Sequence, residues 1–126
     1  MQRTWYLSTR AASGRLPEVE RRRIERTLER YCEVRVPAHL RGELQVGYRI
    51  RGTAVTLFER RPAWAEPEEW TESLVAQFRY DPLAEKWSLY WSDRRQKWHP
   101  CDRRPAREIA SLLRDVHADR SGIFWG

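Results

Sequence analysis

Between Lys86 and His99 the chain reads KWSLYWSDRRQKWH. Apolar or aromatic and polar residues alternate through Trp87-Ser88-Leu89-Tyr90-Trp91-Ser92, a period of two that sends successive side chains to opposite faces of a strand. Asp93-Arg94-Arg95-Gln96 has turn chemistry, and a second short run follows it. The segment therefore predicts a β-hairpin with an aromatic face, and the fold has to supply an antiparallel sheet around it.

The neighbouring sequence supplies that sheet. Leu44, Val46, Tyr48 and Ile50 alternate with Gln45, Gly47, Arg49 and Arg51. Arg51-Gly52-Thr53 then turns the chain into a β-branched and aromatic run over 54–60. Residues 62–69, with two prolines and three glutamates, form a flap carrying Trp64, with Trp70 just beyond. Leu74, Ala76, Phe78 and Tyr80 alternate in a third strand, Asp81-Pro82 opens a turn, and residues 86–92 and 97–101 complete the series. Pro100 restricts the last run to an edge.

Helical patterns bracket the strands. Ile24, Thr27, Leu28, Tyr31 and Cys32 share a face of a helix predicted over 16–35, with Pro17 at its start and Pro37 past its end. Ion pairs are expected at Glu18–Arg22, Arg21–Glu25, Arg26–Glu29 and Arg30–Glu33. Ala106, Ile109, Leu112, Leu113 and Val116 share a face of a second helix over 104–118, with Asp102 as its cap and Gly122 past its end. The predicted class is α+β: an antiparallel sheet of four or five strands with an N-terminal and a C-terminal helix on one face. Residues 1–14 read as a loosely held arm and 15–126 as a single domain. The core is expected to join Ile24, Leu28, Tyr31, Ile109, Leu112, Leu113 and Val116 to Leu44, Val46, Ile50, Leu57, Leu74, Phe78 and Leu89. The apolar tail Ile123-Phe124-Trp125 is expected to fold back under the sheet.

Composition narrows the partners. The 126 residues carry a net charge of +6, which points to nucleic acid, an anionic surface or an acidic protein. Arginine dominates, with Lys86 and Lys97 the only lysines, and arginine enrichment also arises from genome base composition. Placement is more informative than the total. Residues 94–107 carry six basic side chains against Asp102, whereas 59–72 carry five acids against Arg60 and Arg61. No apolar run approaches the roughly 20 residues that span a bilayer, and the N-terminus lacks the apolar stretch of a secretory signal. Cys32 and Cys101 do not make a disulfide framework, so a cytoplasmic setting is expected.

The tryptophan-rich strand, the polar turn, Lys97-Trp98-His99, the following helix and the terminal Gly122-Ile123-Phe124-Trp125-Gly126 together resemble a bacterial family of short single-domain proteins catalogued only as a domain of unknown function. The resemblance covers residues 17–126. Cys101 stands where an aromatic residue is expected in such chains. The resemblance implies no activity, cofactor or catalytic residue.

Residue chemistry then ranks the functions. Tyr90 and Trp98 offer π-faces to bases, and Arg94, Arg95, Lys97, Arg103 and Arg104 offer cations to phosphates, so non-enzymatic binding of DNA or RNA leads. Trp87 and Trp91 share strand parity with Leu89 and are expected in the core. A protein-interaction or homo-oligomeric assembly module is second, docking the acidic flap onto the basic end. A metal-dependent enzyme built on Asp93, His99 and Asp102 is third; those residues lack a recognised ligand spacing, and no metal or cofactor site is assigned. Cys101 and His99 lack a nucleophile elbow or oxyanion loop, and no catalytic residue is assigned. The first helix, despite its arginines, reads as a salt-bridged solvent face.

Overall fold

The structure, a computed structural model, describes residues 14–125. The expected N-terminal arm lies, apart from Gly14, outside the described residues. The elements are α1 (Glu18–Arg35), a 3-10 turn (Ala38–Leu40), β1 (Gln45–Arg51), β2 (Ala54–Pro62), β3 (Trp70–Asp81), β4 (Lys86–Ser92), β5 (Trp98–Pro100) and α2 (Ile109–Ala118). The strands form one antiparallel sheet in chain order, giving the α+β class. No helix among the described residues is long and apolar enough to cross a membrane.

Both helices bury their apolar stripes against one sheet face. Ile24 and Leu28 of α1, with Ile109, Leu112, Leu113 and Val116 of α2, meet Val55, Leu57, Ala76, Phe78, Trp87 and Leu89. Trp87 is fully buried. Its ring lies 5.0 Å from that of Tyr80, and its indole N–H donates to Glu20 Oε1 at 3.4 Å, giving the one polar atom of a buried tryptophan a partner. Tyr31, Val46 and Ile50 pack at the margin of this core, half-buried. On the solvent face of α1 the Arg22–Glu18 and Arg21–Glu25 pairs form, at 3.4 and 3.3 Å. Arg26–Glu29 and Arg30–Glu33 do not form among the described residues, whereas Arg23 pairs with Glu20 at 3.5 Å.

Leu74 departs from the expected core. The β2–β3 register shifts between Leu57, opposite Ala76, and Phe58, opposite Leu74. This bulge places one extra residue, Val75, in β3 and reverses the parity of everything before it. Ala76, Phe78 and Tyr80 face the helices, while Leu74 shares the opposite face with Phe58 and Thr56.

The second helix starts at Ile109, later than expected. Trp87 and Ala106 exchange backbone hydrogen bonds of 2.6 and 2.9 Å, which keeps the chain extended beside β4 past Pro105. Asp102 therefore lies well before the helix and does not cap it; Glu108 occupies the N-cap without a side-chain bond. At the other end Asp119, in the left-handed region at φ 44°, is the C-cap, with Gly122 three residues beyond it. The Asp119 carboxylate accepts the N–H groups of Phe124 and Trp125 at 3.1 and 2.9 Å. Trp125 donates its indole N–H to the Val116 carbonyl at 3.0 Å, under the Arg35 guanidinium at 4.3 Å. Phe124 and Trp125 are thus half-buried while Ile123 stays exposed, and the tail caps the ends of the two helices, whereas the sequence predicts that it folds back under the sheet.

Candidate nucleic-acid interface

With both helices on one side, no element among the described residues covers the other face of the sheet. Strand alternation decides what it shows. Gly47, Arg49 and Arg51 of β1 oppose Phe58, Thr56 and Ala54 of β2, followed by Leu74, Gln77 and Arg79 of β3, Ser88 and Tyr90 of β4, and Trp98 of β5. Arg49, Arg51, Thr56, Gln77 and Trp98 line a shallow groove of about 250 Å³ across this face.

Several of these side chains are held in fixed positions. The Arg79 guanidinium lies 3.8 Å from the Tyr90 ring centroid, and its Nε donates to Gln77 Oε1 at 2.7 Å. Gln77 in turn donates to Thr56 Oγ1 at 2.9 Å. A cation fixed over an aromatic ring presents a flat, charged surface on which another ring can stack. Arg49 lies 4.5 Å over Phe58 and pairs with Glu72. Phe58 can lie this low because position 47 is glycine; a Cβ there would meet the ring at 2.8 Å.

The β4–β5 turn borders the same face, and Asp93 holds it. Asp93 Oδ1 accepts the N–H groups of Arg95 and Lys97 at 2.8 and 3.0 Å, while Oδ2 meets His99 Nε2 at 2.7 Å. The His99 hydrogen bond, supported by those backbone donors, holds the Asp93 carboxyl below its usual range. The His99 ring stacks on Trp91 at 4.7 Å on the helix side of the sheet. Gln96 completes the turn at φ 63°. Arg94, Arg95 and Lys97 are left exposed at the tip with no acidic partner among the described residues.

The seven residues singled out from the sequence therefore separate. Tyr90 and Trp98 share the open face, and Arg94, Arg95 and Lys97 sit at its end. Arg103 is turned to the helix side: its guanidinium donates to Asp115 Oδ2 at 2.6 Å, Ser111 Oγ at 2.7 Å and the Arg104 carbonyl at 2.9 Å. Arg104 is exposed in the segment leading to α2. Arg49, Arg51, Arg79, Thr56 and Gln77 were missing from the sequence-derived set, although the alternation of Arg49 and Arg51 with Tyr48 and Ile50 carries the signal for two of them. Asp93 and His99 meet while Asp102 does not join them, and no metal-holding group of three His, Cys, Asp or Glu exists among the described residues.

A family model described as Domain of unknown function (DUF3024) matches residues 16–126. The chain belongs to that family. No curated protein and no solved structure matches it. In this DUF3024 domain the matched span contains both helices, all five strands and the whole of the open sheet face.

Proposed function

We propose that the protein is a non-enzymatic, cytoplasmic bacterial accessory protein that binds single-stranded nucleic acid across the open sheet face. The observation that carries this reading is a sheet face, uncovered by any element among the described residues, on which Trp98 and the Arg79–Tyr90 stack lie beside Arg51 and the Arg94, Arg95 and Lys97 tip. Bases stack on the indole and on the guanidinium plane, at about 1–3 kcal/mol per base, while the exposed cations take the phosphates. A single strand suits the surface because its bases can turn toward the sheet, which a closed duplex prevents. The free Cys32 and Cys101 fit a reducing compartment.

Fluorescence anisotropy with single-stranded DNA and RNA at several salt concentrations tests the reading. Affinity falls as salt rises, and Arg94→Ala with Arg95→Ala lowers the slope of log K against log salt by about 1.4, at roughly 0.7 per phosphate contact. Trp98→Ala weakens binding and leaves that slope unchanged. Absence of binding at low salt eliminates the function.

A further inference from the structure

Two surface features play no part in that reading. The first is Trp64, 98% exposed at the tip of the β2–β3 hairpin, beside exposed Glu66, Glu68 and Glu69. The tip is a defined structure: Pro62 faces Trp70, Ala63 N–H donates to the Glu69 carbonyl at 2.7 Å, and Glu69 N–H to the Glu66 carbonyl at 2.9 Å. β3 pairs with β4 only from Gln77 to Asp81. At about 3.3 Å per residue, the Trp70 end of β3 projects on the order of 16 Å past the level of Ser92.

The second feature is a trough between the helices. α1 packs along β1 and α2 along β4, so the two helices stand apart over the middle of the sheet. The trough has a volume of about 590 Å³ and an apolar surface that includes Tyr31, Val34 and Leu113; Val34 is 73% exposed. Arg30, Arg114 and His117 also line it, and none of its described lining side chains is acidic. The Tyr31 hydroxyl meets His117 Nδ1 at 3.0 Å, which ties the two walls together.

We propose that the hairpin tip of one copy docks in the α1–α2 trough of a second copy. Trp64 enters between Val34 and Leu113, and Glu66, Glu68 and Glu69 face Arg30 and Arg114. Complementarity identifies the occupant: an acidic, hydrogen-bonded tip with a protruding indole matches an apolar trough with a cationic border. Tryptophan is among the side chains most often found as interface anchors. Within its own chain Trp64 is almost fully exposed, so the contact joins different copies. Each copy carries both a tip and a trough, so a single tip-in-trough contact is head to tail and a reciprocal pair of them closes a two-fold dimer. The trough lies on the helix side of the sheet, so association leaves the open face free, and the inference stands independently of nucleic-acid binding.

Sedimentation velocity across a concentration series tests it. The wild-type chain self-associates with a Kd of about 1 mM or tighter. Trp64→Ala weakens association by roughly 30-fold or more, the loss expected for a central aromatic anchor, and Val34→Asp does the same from the trough side. Both positions are exposed, so a thermal melt confirms that each variant folds. Mixing the two variants is the decisive arm. One retains an intact trough and the other an intact tip, so together they form a 1:1 dimer that cannot grow. A wild-type chain that remains monomeric, a Trp64→Ala variant that associates like wild type, or a mixture without the dimer overturns the proposal.

Discussion

Replacing Trp125 with alanine removes three contacts that the structure allows to be weighed separately. A tryptophan carries 150–250 Å² of buriable surface, and half-burial here takes on the order of 100 Å² from water, worth about 2.5 kcal/mol. The indole N–H bond to the Val116 carbonyl adds about 1 kcal/mol, and the Arg35 contact about 0.5 kcal/mol at a partly exposed site. Residual compactness of the unfolded chain reduces the burial contribution by roughly 10–40%. Val116 lies in the last turn of α2, where water can replace the lost donor, so no further penalty arises. The net cost is about 3 kcal/mol, which at roughly 4 °C per kcal/mol for a domain of this size lowers Tm by about 12 °C. Trp125→Phe keeps the ring beneath Arg35 and loses the hydrogen bond, costing about 1 kcal/mol. Reversible thermal unfolding by circular dichroism measures both variants. A Trp125→Ala melt within about 2 °C of wild type, less than 1 kcal/mol on this scale, shows that the tail does not close the helix layer.

Three further predictions follow from the fold and its ionisable groups. Phe78→Ala costs about 3–5 kcal/mol, whereas Leu74→Ser on the open face costs less than about 1 kcal/mol; urea denaturation giving equal losses places both residues in the core and contradicts the bulge. Because the folded Asp93 pKa is depressed, its contribution to the β4–β5 turn is full above the ordinary carboxyl range and is lost as pH falls through the lower folded value. The stability difference between wild type and Asp93→Asn therefore shrinks toward zero in acid, and a difference independent of pH refutes the assignment. Burial pushes the Cys32 thiol up to about 11, so at pH 8 it reacts with iodoacetamide far more slowly than a cysteine in a short peptide, as mass spectrometry can follow; equal rates contradict its burial.

Much of the fold is legible from periodicity because burial follows it. Parity groups Trp87 with Leu89, and both are buried; the helical stripe of Ile109, Leu112, Leu113 and Val116 is buried as a unit. The bulge at Val75 is not legible, since the extra residue leaves the apolar run of Leu74, Val75 and Ala76 looking like an ordinary strand. The late start of α2 is hidden for a similar reason. Pro105 looks like an initiator of the helix, and only the Trp87–Ala106 backbone pairing shows that the chain is still extended there. At the candidate interface the hairpin cations are visible as a local cluster. Arg49, Arg51 and Arg79 come from two other strands and join it only through the sheet register. Arg103 fails to join it because α2 offers it Ser111 and Asp115, a long-range pairing that local sequence does not display.

The most direct measurement is a backbone and indole NMR titration of the full chain with a short single-stranded oligonucleotide. Shift changes are expected at Arg49, Arg51, Thr56, Gln77, Arg79 and Tyr90, at the Trp98 indole N–H, and through the turn at Arg94 to Lys97, while the buried Trp87 indole and α2 remain unmoved. No shifts at low salt, or shifts confined to α1 and α2, contradict binding on the open face.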